Sequence, residues 1–155
     1  MNRIKKRNIV LVLLLIGFVF VIKYSFLSVT VLSESMKPTL NIGNKVIAIN
    51  KHISNIKTND IIIFKNDDDN INFTYLIKRV VAKEYDYVEI KNNKLFVNHK
   101  FIKEIGTVNS PEISLLIKEN EFFVLGDNVN NSYDSRNYGP ISYNQILGKE
   151  IYIRK

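Results

Sequence analysis

The hydrophobic positions of the chain form one long run near the N-terminus and only short runs after it. The long run extends from Ile9 to Ile22, and apolar residues resume at Phe26 after the interruption by Lys23. A helix needs about 20 apolar residues to cross a bilayer, and a lysine near its end can extend its stem and reach the headgroups. The pattern therefore predicts a transmembrane anchor at residues 8–28, preceded by a tail at residues 1–7.

A cleavable signal peptide is the alternative, because its apolar region is about 7–15 residues long. No site with small alanine-type residues follows the run, which favours a retained anchor. Cations are enriched on the cytoplasmic side of membrane spans. The basic tail therefore predicts a cytoplasmic N-terminus and an extracytoplasmic domain at residues 29–155. The four cations of the tail are Arg3, Lys5, Lys6 and Arg7.

Beyond the anchor, short apolar runs rich in β-branched residues are separated by Asn, Asp, Lys and Gly, a pattern typical of β-strands. The clearest runs are residues 46–49, 61–64, 76–81, 87–90, 95–99, 101–102, 122–125 and 151–153. Asn92-Asn93 predicts a hairpin turn between two of them. No amphipathic run of helical period stands out. The predicted fold class is mainly β, a coiled β-sheet or barrel-like domain with one N-terminal transmembrane helix.

Charge and composition exclude several classes of function. The net charge is +7, but the tail alone contributes four of these positive charges. The remainder is spread too thinly for a nucleic-acid-binding surface, and no recognition motif accompanies it. Cysteine is absent, which excludes disulfides, zinc–thiolate sites and a cysteine nucleophile.

Residues 66–72 are rich in Asp and Asn and raise the question of a calcium site. Counted from the second aspartate of this stretch, the sixth and twelfth positions hold Phe73 and Arg79. An EF-hand loop requires a glycine and a glutamate there. His52 and His99 have no second ligand at metal spacing. We therefore expect a solvated loop, no metal site and no cofactor.

Three segments carry candidate catalytic side chains. A serine-rich segment, residues 33–40, follows the anchor, and Lys78 lies inside an apolar, strand-like run. A lysine in dry surroundings has a lowered pKa, so its neutral amine can act as a base for a serine nucleophile. The third segment, residues 126–139, is a polar loop with two aspartates and an arginine directly after an apolar strand. Each segment alone is weak evidence of catalysis.

Together these segments resemble the motifs of type I signal peptidases, a family of Ser/Lys proteases, in their small bacterial form. The motifs occur in the family's order as Ser-x-Ser-Met-x-Pro-Thr-Leu at 33–40, Asp-Ile-Ile-Ile-Phe at 60–64, Lys-Arg-Val-Val at 78–81 and Gly-Asp-Asn…Ser-x-Asp-Ser-Arg…Gly at 126–139. The likeness extends from the anchor to residue 150. It implies a signal-peptidase-type catalytic domain and a membrane-anchored serine endopeptidase that cleaves signal peptides from exported preproteins.

The resemblance also implies a role for each matching residue. Ser35 is the nucleophile and Lys78 the general base, Ser33 and the backbone N–H of Ser35 form the oxyanion hole, and Ser132 orients the lysine amine. Two ion pairs hold the loop against the base strand, Asp127 with Arg79 and Asp134 with Arg136. Residues close to the dyad in sequence are expected to line shallow substrate pockets, namely Met36, Leu40 and Ile77.

The expected partners are signal peptides of exported preproteins, membrane lipid and, as a further suggestion, the secretion translocon, with no nucleic acid. The sequence departs from the family pattern at Asn59, at residues 82–86 and at Val129, which indicates a divergent or specialised member. Two alternatives stay open: a peptidase dedicated to one class of precursor, and an anchored domain that binds signal segments without cutting. A self-cleaving repressor with Ser/Lys chemistry would need a DNA-binding module where this chain has an apolar segment.

Overall fold

A computed structural model describes residues 2–66, 73–106 and 112–154 of the protein, with side chains from residue 8 onward. The predicted solvated loop therefore lies outside the described residues, apart from its first position. The described part is a β domain preceded by one long apolar helix. The predicted fold class, mainly β with an N-terminal apolar helix, is confirmed.

The N-terminal helix α1 spans Asn2–Ser25. Its segment Asn8–Ser25 has a mean hydropathy of 2.3 and is long and apolar enough to cross a membrane. None of that segment is buried against the rest of the protein. Its apolar side chains therefore have no protein core to pack into, as expected of a helix whose surroundings are lipid.

The helix ends earlier than the predicted anchor. Residues Phe26–Thr30 form strand β1, which pairs with β2 (Lys45–Asn50) so that Phe26 lies opposite Ile49. Within β1 exposed and half-buried positions alternate, which is the period of a strand with one face on the core. The prediction that residues 26–28 continue the anchor is therefore wrong.

The larger sheet contains seven strands in the order β1-β2-β11-β3-β4-β9-β10, and every pairing is antiparallel. The strands not yet located are β3 (Ile61–Lys65), β4 (Tyr75–Lys83), β9 (Glu121–Leu125), β10 (Ile141–Ser142) and β11 (Ile146–Arg154). Two 3₁₀ turns, Lys51–Ile53 and Tyr143–Gln145, and the short helix α2 (Ser135–Tyr138) connect them.

A second, four-stranded sheet has the order β7-β6-β5-β8. Its strands are β5 (Tyr87–Lys91), β6 (Lys94–Val97), β7 (Lys100–Glu104) and β8 (Ile113–Leu116). The predicted hairpin turn at Asn92-Asn93 is confirmed, and both residues have positive φ. A second turn, at Asn98 and His99, leads into β7 with the same backbone signature. Asparagine tolerates this left-handed region better than most residues.

Three clusters of buried apolar side chains make up the core. One joins the two sheets and includes Phe123 and Leu125 of β9. A second packs around Phe64 of β3. The third gathers side chains of β2 and β3 beneath the serine-rich segment and contains Met36 and Leu40. This third cluster fixes where that segment lies on the domain.

The departures at Asn59 and residues 82–86 are accommodated by the backbone. Asn59 has φ 75°, a value that glycine adopts freely and asparagine tolerates. In the second departure, Tyr85 has φ 67° in a turn closed by a hydrogen bond from Asp86 N to Lys83 O at 3.0 Å. Val129 packs against the cluster that joins the sheets. Both turns therefore adopt a positive φ at a residue other than glycine.

The early end of the helix leads to a prediction about truncation. We expect a chain that begins at Phe26 to keep the melting temperature of the full-length domain. A chain that begins at Val29 loses most of β1 and the packing of Leu27 on the core, so we expect its melting temperature to fall by at least ~5 °C. Thermal unfolding followed by circular dichroism would measure this, and equal melting temperatures would contradict it.

Candidate active site

Ser35 lies in a turn that follows β1, and the apolar residues of this turn fix it to the core. Lys37 N donates to Glu34 O at 3.0 Å, and Leu40 N donates to Met36 O at 2.9 Å. The side chains of Met36 and Leu40 are 1% and 0% exposed in the core, whereas Ser35 is 8% exposed. Burial of the apolar residues on one side of the turn thus presents the serine hydroxyl on the other.

Lys78 lies on β4 and reaches this hydroxyl. Its Nζ donates a hydrogen bond of 2.7 Å to Ser35 Oγ, and the side chain is only 3% exposed. Burial lowers the pKa of Lys78 to about 8, against an opposing effect of the Asp134 carboxylate and a reinforcing one of the Arg136 guanidinium. An amine with a pKa near 8 is neutral in about a tenth of molecules at pH 7, far more than a solvated lysine, so it can accept a proton.

Ser33 places a second hydroxyl at the same point. Its Oγ lies 3.2 Å from Ser35 Oγ, within hydrogen-bonding distance. The two serines and Lys78 therefore form one connected polar group in otherwise apolar surroundings.

The loop at residues 126–139 packs closely against the turn at residues 33–40 that contains Ser35 (the nucleophile turn). A Cβ atom on Gly126 would lie 2.5 Å from Ser35 O and even closer to Ser132 Oγ, so only glycine fits without movement. Ser132 Oγ is buried and has no hydrogen-bond partner among the residues that the structure describes. Ser132 thus lies beside the nucleophile turn, but the hydrogen bond to Lys78 that its predicted role requires is not formed.

Arg79, the next residue on β4, points to the opposite face of the strand from Lys78 and pairs with Asp127. Its Nε and Nη2 donate to the two carboxylate oxygens at 2.7 and 2.6 Å, and Nη1 donates to Asn59 O at 2.8 Å. Thr39 Oγ1 donates to the same carboxylate at 2.5 Å. Burial raises the pKa of Asp127, but the hydrogen bonds from Arg79 and Thr39 outweigh it and lower the pKa overall. This pair links the loop to β4.

The second ion pair does not hold the loop against β4, which is the role that the resemblance implied. Arg136 Nε and Nη2 donate to Asp134 at 2.8 and 3.0 Å, so the pair lies within the loop itself and does not bridge to β4. Asp134 is fully buried and accepts a further bond from Gly126 N at 3.0 Å, while Arg136 Nη1 donates to Ile105 O. The pair therefore stabilises the fold of the loop and fastens it to the smaller sheet.

Two adjoining hollows share lining residues, and the smaller one contacts Ser35. The smaller, of about 60 Å³, is lined by Met36 and Ile77 together with Ser35 and Lys78. The larger, of about 410 Å³, also contacts Ile77 and is rimmed by exposed aromatic and aliphatic side chains. The prediction that Leu40 lines a substrate pocket is wrong, because its side chain is completely buried in the core.

Several contributors to the site were missed at the level of sequence. Asn128 hydrogen-bonds the backbone of the nucleophile turn, and Thr39 joins the Asp127 pair. Both belong to the motifs noted above, so membership of a motif was the available signal. Leu32, Phe73 and Tyr75 line the hollows but carried no sequence signal. In the described ranges no group of three or more His, Cys, Asp or Glu side chains could hold a metal ion.

Comparison with known proteins yields concordant matches. A family model described as signal peptidase, peptidase S26, matches residues 4–153. Signal peptidase I V of Bacillus subtilis is 32% identical over 143 residues, which covers 79% of this chain and 82% of that relative. Two thylakoidal processing peptidases of Arabidopsis thaliana are each 35% identical, and the match covers 35% and 39% of their lengths.

A solved structure supports the same fold. The crystal structure of a signal peptidase I from Enterococcus faecalis matches with a TM-score of 0.51 at 24% identity, covering 63% of this chain and 97% of that one. The resemblance deduced from the four sequence motifs is thereby confirmed. The chain belongs to the signal peptidase family, peptidase S26.

Proposed function

We propose that the protein is a membrane-anchored serine endopeptidase that cleaves N-terminal signal peptides from exported preproteins with a Ser35–Lys78 dyad. The observation that carries this proposal is the 2.7 Å contact between Lys78 Nζ and Ser35 Oγ at a site where both side chains are buried. Membership of the signal peptidase family supports the substrate class. An anchored domain that only binds signal segments would have no need for this pair.

The reaction begins when Ser35 Oγ attacks the carbonyl carbon of the scissile peptide bond. The neutral amine of Lys78 accepts the hydroxyl proton, and the carbonyl oxygen becomes an oxyanion that the Ser35 N–H and Ser33 Oγ stabilise. The Lys78 ammonium then donates this proton to the leaving amine as the C–N bond breaks. A water, deprotonated by Lys78, attacks the acyl-enzyme carbonyl; the ester C–O bond then breaks, the carboxyl product leaves, and the Lys78 ammonium returns the proton to Ser35 Oγ.

We assign Ser132 to orienting the lysine amine, through an arrangement that forms when substrate is bound. A buried hydroxyl without a partner is costly in free energy and readily accepts a donor that comes within reach. Protonation of Lys78 during the reaction adds an N–H group at the site, and a hydroxyl near the dyad can accept it. The Oγ of Ser132 packs beside Gly126, next to the Ser35 carbonyl, which supports this assignment.

The groove beside the dyad suits an extended peptide. Residues 75–78 of β4 pair with β3 on one side, while pairing with β9 on the other side starts only at Arg79. Among the described residues no strand pairs with the other edge of this stretch, so it can hydrogen-bond an added strand, a common mode of peptide recognition. The hollow of about 60 Å³ beside Ser35 suits a small side chain next to the scissile bond. Met36 and Ile77 supply its apolar lining.

Substitution of the dyad tests the proposal directly. We expect Ser35→Ala and Lys78→Met to abolish precursor cleavage and to remain folded, because each removes a reacting group without adding bulk. Lys78→Arg is also expected to be inactive, since a guanidinium stays protonated. Cleavage is measured with purified protein and a precursor, with N-terminal sequencing of the product.

Ser28→Ala on β1 and Lys83→Met at the end of β4 are the matched controls, because both side chains are exposed. We expect both to retain wild-type activity. Substantial cleavage by either Lys78 variant would contradict a lysine base.

The pKa of Lys78 determines the pH dependence of cleavage. Only the neutral amine accepts the serine proton, so we expect kcat/KM to rise with pH and to level off above a midpoint near 8. A solvated lysine would place this midpoint at about 10.4. A pH–rate profile of the full-length protein in detergent measures the midpoint, and a value near that of free lysine would show that the base is not desolvated.

We further propose that α1 crosses the membrane once with its N-terminus in the cytoplasm. The apolar segment Asn8–Ser25 supports the span, and the cations of the tail support the orientation. Interfacial lipid is then a partner of the residues that follow α1, and the secretion translocon is a plausible neighbour on the basis of the substrate class.

This topology predicts two results on native membranes. The protein should resist extraction by alkaline carbonate, and protease added to the extracytoplasmic side should digest the β domain while leaving α1 protected. Opening the vesicles should add no further cleavage of the domain. A mature chain that begins after Ser25 in these membranes would identify the segment as a cleaved signal.

A further inference from the structure

We infer that Asn128 is a positioning residue for the oxyanion hole, acting through the peptide group between Glu34 and Ser35. The inference rests on the function proposed above, in which the Ser35 N–H donates to the oxyanion. It assigns to the loop at residues 126–139 a role in catalysis beyond the ion pairs already described.

Asn128 contacts the nucleophile turn at two successive carbonyl groups. Its side-chain Nδ2 donates to Glu34 O at 3.2 Å, and its backbone N donates to Ser35 O at 3.0 Å. These carbonyls belong to the peptide groups on either side of the Ser35 Cα. One residue, 93 positions further along the chain from Ser35 and half-buried, thereby fixes the orientation of both.

Fixing the Glu34 carbonyl also fixes the Ser35 N–H. The peptide unit is planar and trans, so its C=O and N–H bonds point in opposite directions and turn together when the unit rotates. Within the part of the chain that the structure describes, the Ser35 N–H has no hydrogen-bond acceptor of its own. Its direction is therefore set by what holds the other side of the peptide, while the N–H itself stays available to an oxyanion.

Two donors hold that other side. Lys37 N reaches Glu34 O from within the turn at 3.0 Å, and Asn128 Nδ2 reaches it from the loop. The bond from Lys37 moves with the turn, so it cannot fix the turn relative to the rest of the site. Asn128 fixes the turn relative to β4, because Asp127 beside it is bonded to Arg79 on that strand. The same loop therefore positions both the oxyanion donor, the Ser35 N–H, and the strand that carries Lys78.

Asn128→Asp is the most specific test, because it keeps the shape of the side chain and removes the N–H donor. We expect kcat for precursor cleavage to fall about five- to tenfold, the effect of one lost neutral hydrogen bond on the transition state. KM should stay within about twofold, because the Ser35 N–H that Asn128 positions acts on an oxyanion that is absent from the bound substrate. Asn128→Ala should behave in the same way without introducing a charge.

The pH profile separates positioning of the oxyanion donor from a general disturbance of the site. In Asn128→Ala the midpoint near 8 should stay unchanged, because the surroundings of Lys78 are not altered. Asn131→Asp and Asn131→Ala are the matched controls, since Asn131 lies in the same loop and its exposed side chain makes no hydrogen bond to any of the described residues. We expect wild-type kcat from both controls.

Ser35→Ala is measured in parallel to distinguish failure of the proposed function from failure of the positioning role of Asn128. If Ser35→Ala is inactive while both Asn128 variants keep wild-type kcat, the inference fails and the proposed function stands. A loss confined to KM, or one fully explained by a lower melting temperature, would also overturn it. If Ser35→Ala stays active, the proposed function fails, and the inference fails with it.

Discussion

The removal of the Lys78 amine from water is the constraint on which the site depends. A pKa lowered from 10.5 to about 8, mainly by burial, corresponds to a net cost of about 3 kcal/mol for the ammonium form. Only a rigid, well-packed surrounding can hold a lysine under that cost, since a mobile one would let its amine return to solvent. The packing of Met36 and Leu40 into the core and the position of Lys78 within a nine-residue strand supply this rigidity. The same packing places the Ser35 hydroxyl within hydrogen-bonding distance of the Lys78 amine.

The loop at residues 126–139 holds together the elements that carry Ser35 and Lys78. Its Asp127 bonds both Arg79 of the base strand and Thr39 of the nucleophile turn, and its Asn128 bonds the turn backbone. The buried pair of Asp134 with Arg136 keeps the loop itself in shape. Arg79 and Arg136 each pair with an aspartate of the loop, while the lysine amine donates to the serine hydroxyl.

Local sequence was sufficient for some features and insufficient for others. The Asn92-Asn93 turn was predictable because it depends on the backbone preference of the residues themselves. The end of α1 was not, because Phe26 and Leu27 are as apolar as the helix and only their pairing with β2 makes them a strand. Leu40 was assigned to a pocket from its closeness to Ser35 in sequence, whereas the direction of a side chain in a turn depends on tertiary packing. The role of Asn128 lies in a contact across 94 positions, which no local pattern encodes.

The direct passage from α1 into β1 has a geometric consequence for which bonds the enzyme can reach. The helix ends at Ser25 and the strand begins at Phe26, with Tyr24 O bonded to Asn50 of the domain, so no slack separates the two. Even a fully extended chain from Ser25 to Ser35 spans at most about 35 Å. If α1 crosses the bilayer as proposed, Ser35 reaches only peptide bonds within about this distance of the lipid surface.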